Sequence, residues 1–228
     1  MYGYFNYLIF LLPALLLGLF AQALVKSRFN KFSKIASRRG ITGEQAARAV
    51  LSAGGARNVS VIRIAGNLTD NYNPKTNTIS LSEGVYDSKS VAAIGVAAHE
   101  AGHAIQYAKG YAPIKLRAAL ISVTNLSSSL AIPLFFIGLI FASEALMLLG
   151  ILLYAAIALF QLVTLPVEFN ASARAMEVLS SSGMLDKNEL ASSKKVLSAA
   201  AMTYVAALLT SILTLLRLIL LANRNRRN

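Results

Sequence analysis

Four long stretches without a charged side chain run through this 228-residue chain, and they restrict it to folds that can embed them. Tyr7 to Leu24, Ala118 to Ser143, Ala145 to Val167 and Val196 to Leu216 are each near the roughly 20 residues that a helix needs to cross a hydrocarbon core. With 56% hydrophobic and only 14% charged residues, the remainder of the chain could not solvate these runs as an ordinary soluble globule would. Only Ser143-Glu144 separates the second run from the third. Those two therefore form a tight antiparallel hairpin whose outer ends, near Arg117 and Glu168, return to the same membrane face.

The first run reads as an anchor. Ala21-Gln22-Ala23 has the small-x-small form of a cleavage site, but no basic residue precedes the run and it is longer than the core of a leader. Lys26, Arg28, Lys31, Lys34, Arg38 and Arg39 follow it with no acid among them, which holds this flank on the cytoplasmic side. Four crossings would put the carboxyl terminus opposite, where Arg224, Arg226 and Arg227 lie beyond Arg217. Either the last run does not cross fully or the larger cytoplasmic set outvotes these arginines. The net charge of +12 sits beside apolar runs, the pattern of contact with anionic lipid rather than with nucleic acid.

Between Gly40 and about Leu116 the apolar residues are spaced, as in a polar extramembrane unit. Thr42-Gly-Glu-Gln45 is a capping box that starts a helix, which Gly54-Gly55 ends. Asn58 to Ile64 and Thr76 to Leu81 alternate apolar and polar residues around turn chemistry at Asn71 to Lys75, predicting a β-hairpin with a free edge for an extended peptide. Asp87 or Ser88 then caps a helix running to about Lys109. Between the third and fourth apolar runs a mixed-charge helical stretch, Glu168 to Lys195, is broken at Ser180-Ser-Ser-Gly183.

The chain has no cysteine and only two histidines, and both fall in His99-Glu100-Ala101-Gly102-His103 on that helix. Positions i and i+4 share a helical face, so the two imidazoles can hold one Zn²⁺ while Glu100, about 100° round, addresses a water. Ala98, Ala101, Gly102 and Ala104 surround the motif, the composition of a buried helix, where imidazoles and a carboxylate without a metal would be costly. A catalytic zinc takes three protein ligands and leaves one position open, so the third here has to be a carboxylate. Glu144 caps the hairpin on the far side. Glu168 emerges from the third run where the hairpin returns it beside the motif, and a charge at a membrane edge is expensive unless it is paired or coordinated. Glu168 is the expected third ligand, and Glu100 the general base. For stabilising the developing oxyanion no histidine remains, leaving Arg174, Tyr72 and Tyr204 as candidates. Arg174 lies six residues after Glu168 and about 120° off its face.

These residues also carry a resemblance. His99 to His103, a membrane hairpin, and then Leu165-Pro-Val-Glu168-Phe-Asn170-Ala-Ser172-Ala-Arg174 resemble the bacterial integral-membrane neutral zinc metallopeptidases called YugP-like, as do Leu68-Thr-Asp70-Asn-Tyr72-Asn-Pro74 and Leu81-Ser-Glu83 ahead of the motif. The likeness covers nearly the whole chain. More distantly the chain is similar to membrane gluzincins of the HtpX and CAAX-prenyl-protease type, where a later Glu completes the zinc site. The resemblance implies that His99, His103 and Glu168 are metal ligands and Glu100 the base, with Asn170 and Ser172 supporting them. The distant group carries an Asp four residues beyond its distal Glu; Ser172 stands there here, a weaker partner for a ligand histidine.

The expected fold is mostly α: multi-span membrane helices with a small α+β zincin-like extramembrane unit that carries the HExxH helix. The expected division is an anchor at 1–25, the zincin-like unit at 26–117, a transmembrane hairpin at 118–167, a helical segment with the third ligand at 168–195, and a final transmembrane helix with a basic tail at 196–228. The expected function is a membrane-embedded zinc endopeptidase acting near the cytoplasmic face on peptides or membrane proteins, with Zn²⁺ as cofactor, the lipid bilayer as surroundings and no nucleic-acid partner. The alternative is a catalytically inactive zinc-binding scaffold, which would have no use for a base at Glu100. A transporter is disfavoured because the apolar runs hold almost no ionisable residue.

Overall fold

The computed structural model describes residues 2–225, with side chains from residue 12 onward. Met1, Arg226 and Arg227, the last two part of the expected basic tail, lie outside the described residues. The chain forms α1 (Tyr2–Phe32), α2 (Gly43–Ala53), β1 (Ser60–Ile64), β2 (Asn71–Asn73), β3 (Thr78–Ser82), α3 (Glu83–Tyr86), α4 (Val91–Ala108), α5 (Ala112–Ile140), α6 (Glu144–Ser181) and α7 (Lys187–Asn225). Four of these helices, α1, α5, α6 and α7, contain segments long and apolar enough to cross a membrane. The chain divides into two compact units: one holds the segments up to Ala21, Lys115–Leu165 and from Thr203 onward, the other Gln22–Ile114 and Pro166–Met202.

In the first unit α5 and α6 are joined by a short turn in which Ala142 takes a positive φ of 49°. Glycines set their spacing: a Cβ on Gly138 would meet the Met147 nitrogen, and one on Gly150 the Ala131 carbonyl and Phe135. Phe135, Met147 and Leu218 form the buried centre of this unit. Leu15, Leu16, Leu19 and Phe20 of α1 and Leu126, Leu148 and Leu152 on the other helices point outward instead. A helix apolar on its outer face suits a hydrocarbon surrounding.

The second unit is built on α4. Val91, Ala92, Ala93, Ile94, Ala97, Ala98 and Ala101 are fully buried, so most of the helix surface is covered by neighbours that approach small side chains closely. Gly54 at the end of α2 lies against Ile105, Gly95 of α4 against Ser193 of α7, and Gly102 of α4 against the backbone carbonyl of Ala171 on α6. The Thr42 capping box forms as expected, with Gln45 N–H donating to Thr42 Oγ1 at 3.2 Å and Thr42 N–H to Gln45 Oε1 at 3.0 Å. A second box opens α7: Asp186 Oδ1 accepts from Glu189 N–H at 2.9 Å while Glu189 Oε2 accepts from Asp186 N–H at 2.8 Å. Its other oxygen accepts from Arg38 N–H at 2.7 Å, tying the segment after α1 to α7.

Two local expectations are corrected. The predicted hairpin is not one: β1 pairs with β3 in parallel, and β2, taken from the expected turn, lies antiparallel on the other side of β3, giving the order β1-β3-β2. Alternation reports that a segment is a strand but not the direction of its partner; Gly66 and Leu68, both at positive φ, redirect the chain between β1 and β2. The cap of α4 is Ser90, whose Oγ accepts from Ala93 N–H at 3.2 Å, rather than Asp87 or Ser88. Asp87 ends α3 and pairs with Arg63 at 3.1 Å, and Ser88 bonds to the Ser90 hydroxyl.

The Gly102 contact leaves no room for a methyl group. Gly102→Ala should lower stability by about 1–3 kcal/mol, whereas Gly18→Ala on α1, which has nothing within 4 Å of the added Cβ, should be neutral or stabilising. Thermal unfolding of the detergent-purified proteins measures both.

A candidate metal centre

On α4, His99 and His103 lie one turn apart and meet edge to face, with ring centroids 4.7 Å apart and planes at 81°. On α6, Thr164, Glu168, Ala171, Ala175 and Leu179 form the buried stripe. Glu168 is therefore a carboxylate within an otherwise largely apolar row, and only 2% of it is exposed. The close approach at Gly102 and Ala171 places that row opposite the two imidazoles. One carboxylate oxygen, Glu168 Oε2, faces both: it is 3.2 Å from His99 Nε2 and 3.4 Å from His103 Nε2. A tetrahedral ion with ligands at about 2.0–2.1 Å has ligand atoms about 3.3 Å apart. The oxygen thus already stands from each nitrogen at the separation of two ligands around one zinc, and among the described residues these three form the one such group, all their ligand atoms lying within 4.8 Å of one another.

Each imidazole is held from behind. His99 Nδ1 lies 3.0 Å from Ser172 Oγ, so Ser172 does reach this imidazole. His103 Nδ1 lies 3.0 Å from Oε1 of Gln106, a residue the sequence reading passed over. Gln106 is fully buried, and its Nε2 donates to the Val167 carbonyl at 2.8 Å and to Asn170 Oδ1 at 3.0 Å. Its signal was an amide one turn beyond the motif in a helix of alanines. Asn170 therefore supports His103 through Gln106, and it also accepts from Arg174 Nε at 2.7 Å.

Of the candidate oxyanion donors, Arg174 faces Asn170 and the Tyr111 ring, 5.9 Å from its centroid. The Tyr72 hydroxyl donates to Asn77 Oδ1 at 2.8 Å, and its ring lies 5.6 Å from that of Tyr107. Tyr204 belongs to the other compact unit.

Glu100 lies on the same helix, on a face adjacent to the imidazoles. Burial pushes its carboxyl above the usual carboxylate range; the two imidazoles pull against this, and the charges of Glu168 and Asp70 add to it. Asp70 directly precedes β2. It accepts from Ser82 N–H at 2.7 Å and from the Ser82 hydroxyl at 3.1 Å, yet burial raises its carboxyl too.

A family model described as "Putative neutral zinc metallopeptidase" matches residues 7–223, nearly the whole chain. The chain belongs to this family. The "Putative membrane protease YugP" of Bacillus subtilis (strain 168) is 45% identical over 210 residues, covering 92% of this chain and 93% of that protein. No solved structure matches. Membership of a zinc peptidase family and the donor set of two imidazoles and one carboxylate agree on zinc as the cofactor.

In the metal-free protein His103 has a definite effect on stability. Burial opposes its charge, but the Glu168 carboxylate and Glu100 outweigh that and raise it above the ordinary imidazole value. The stability this group contributes is then present in full below its unfolded value of about 6.5 and is lost as pH climbs through the raised folded value. Glu100, raised as well, acts with the same sign in its own range. The unfolding midpoint in the presence of chelator should therefore fall as pH rises above the unfolded imidazole value of about 6.5; a flat or rising profile would contradict the assignment.

Proposed function

We propose that this member of the zinc metallopeptidase family is a gluzincin-type endopeptidase embedded in the membrane, hydrolysing peptide bonds in peptides or in exposed segments of membrane proteins. The observation that carries the reading is the Glu168 oxygen at 3.2 and 3.4 Å from two imidazole nitrogens, with Glu100 of the same HExxH helix beside them. His99, His103 and Glu168 would hold the zinc, leaving the fourth position open for water and substrate. Zinc, when bound, lowers the pKa of a water and polarises a carbonyl.

The chain's own groups do the rest. Glu100 accepts the proton of the attacking water, and its raised proton affinity suits a group that must then deliver that proton to the departing amine. Ser172 and Gln106 keep the imidazoles from turning. Burial of Glu100, His103 and Glu168 limits competing water.

In this proposal the segments 1–25, 118–167 and 196–228 cross the bilayer and the metal centre lies on the cytoplasmic side. The basic run Lys26 to Arg39, directly after the first apolar run, supports that orientation.

Elemental analysis of detergent-purified protein should find about one zinc per chain in wild type and in Glu100→Gln, and none in Glu168→Ala. Hydrolysis of an unstructured protein substrate should fall by about 10²–10⁴-fold in Glu100→Gln. Zinc at full occupancy with no hydrolysis in wild type would favour the inactive scaffold. For orientation, Lys109→Cys at the exposed end of α4 should resist an impermeant thiol reagent on intact cells and react after permeabilisation; labelling from outside would reverse the topology.

A further inference from the structure

The hydrogen bonds behind His103 determine what its Nδ1 must carry. The Val167 carbonyl can only accept, so the end of the Gln106 amide that faces it at 2.8 Å has to be the NH₂ group. A second anchor requires the same orientation. Arg174 has donors only, so Asn170 must turn its oxygen toward Arg174 Nε, and that same oxygen also faces the Gln106 NH₂ at 3.0 Å. With its nitrogen fixed from two sides, Gln106 presents its oxygen to His103 Nδ1 at 3.0 Å. An oxygen there demands an N–H at Nδ1, while Glu168 Oε2, 3.4 Å from Nε2, is an acceptor facing the other nitrogen; a cation between Nε2 and Glu168 would replace that second proton only, leaving Nδ1–H with Gln106. Flipping the amide would set its oxygen against two acceptors inside a fully buried site.

His99 has no such clamp. A serine hydroxyl donates or accepts by rotating, so Ser172 fits either tautomer of the ring.

We propose that Gln106, clamped by the Val167 carbonyl and by Asn170 with Arg174, is the positioning residue that fixes His103 in its Nδ1–H form and thereby presents Nε2 to the metal. Arg174 then acts through Asn170 on the metal site rather than on an oxyanion. The clamp also ties the ligand on α4 to the turn of α6 that carries Glu168, since Val167 is its neighbour.

The consequence for metal affinity rests on the zinc reading above, but the tautomer does not, and the two are measured separately. Because the chain has only two histidines, ¹⁵N-histidine labelling gives a spectrum in which one of two rings is His103; His99→Gln identifies it. In metal-free Glu168→Leu, where no carboxylate faces Nε2, His103 should show a protonated Nδ1 and a bare Nε2 at a pH where the rings are neutral. In that background Gln106→Met, of similar length but without donor or acceptor, should shift the ring toward the Nε2–H form, and as a single variant it should weaken zinc binding, measured by chelator competition, by about 10–100-fold. Gln106→Glu keeps an acceptor facing Nδ1 and should retain the Nδ1–H form. If the residue merely filled space the order would reverse, because a buried thioether would be tolerated and a carboxylate would not.

Finding His103 in the Nε2–H form in Glu168→Leu overturns the proposal, as does Gln106→Met that keeps both the tautomer and, within about threefold, the zinc affinity. Should a Gln106 variant fail to fold, the Glu168→Leu spectrum decides; should Glu168→Leu fail, the zinc affinities of Gln106→Met and Gln106→Glu decide. Should wild type take up no zinc, the peptidase reading fails while the tautomer still judges Gln106.

Discussion

The backbone contact between Gly102 and Ala171 fixes the distance between α4 and α6, and the metal centre depends on that distance. Glu168 lies three residues before Ala171 on the same buried stripe, so bringing Ala171 against α4 carries the carboxylate to the imidazoles. A side chain at position 102 would push α6 away by about the size of a methyl group, far more than the few tenths of an ångström within which metal ligands are held. The same need for closeness explains why α4 is an alanine-rich helix, with Gly95 accepting Ser193 on another side. Its contribution to the core comes from many small contacts rather than from a few large side chains.

Inside that packing the site concentrates charge. Glu168 and Glu100 are buried beside one another with Asp70 near enough to be felt, and the two imidazoles oppose them. Such an arrangement favours a bound cation: an ion with two positive charges balances the Glu168 carboxylate and relieves Glu100 and Asp70, which otherwise hold protons more tightly than they would in water. The supporting partners of the histidines are a hydroxyl and an amide, both neutral. They orient the rings without adding a further negative charge to a region already short of compensation.

Much of this was legible in the residues. The HExxH spacing needs only helical periodicity, and the return of Glu168 follows from the two-residue break at Ser143-Glu144, which leaves a hairpin no alternative. The Thr42 box could be read because both partners lie within four residues. What escaped was either non-local or ambiguous. The pairing of β1 with β3 is set by where the chain turns at Gly66 and Leu68, and alternation does not encode it. The Asp186 and Glu189 box has the required spacing but sat in a stretch read for its charge. Gln106 gave almost no signal, because a lone amide reveals its role only when the acceptors on α6, 61 and 64 residues away, are brought to it.

The separation of the ligands along the chain also has a consequence for biogenesis. His99 and Glu168 are 69 residues apart, with all of α5 between them. At about 5–20 residues per second the ribosome needs roughly 3–14 s to make that stretch. During this interval the HExxH helix exists without its carboxylate partner, without the Val167 carbonyl that orients Gln106, and without the Ala171 backbone that covers Gly102. A nascent chain that ends before α6 therefore has two imidazoles but no enclosed metal site, and order of synthesis alone delays the centre until the helical hairpin has been made.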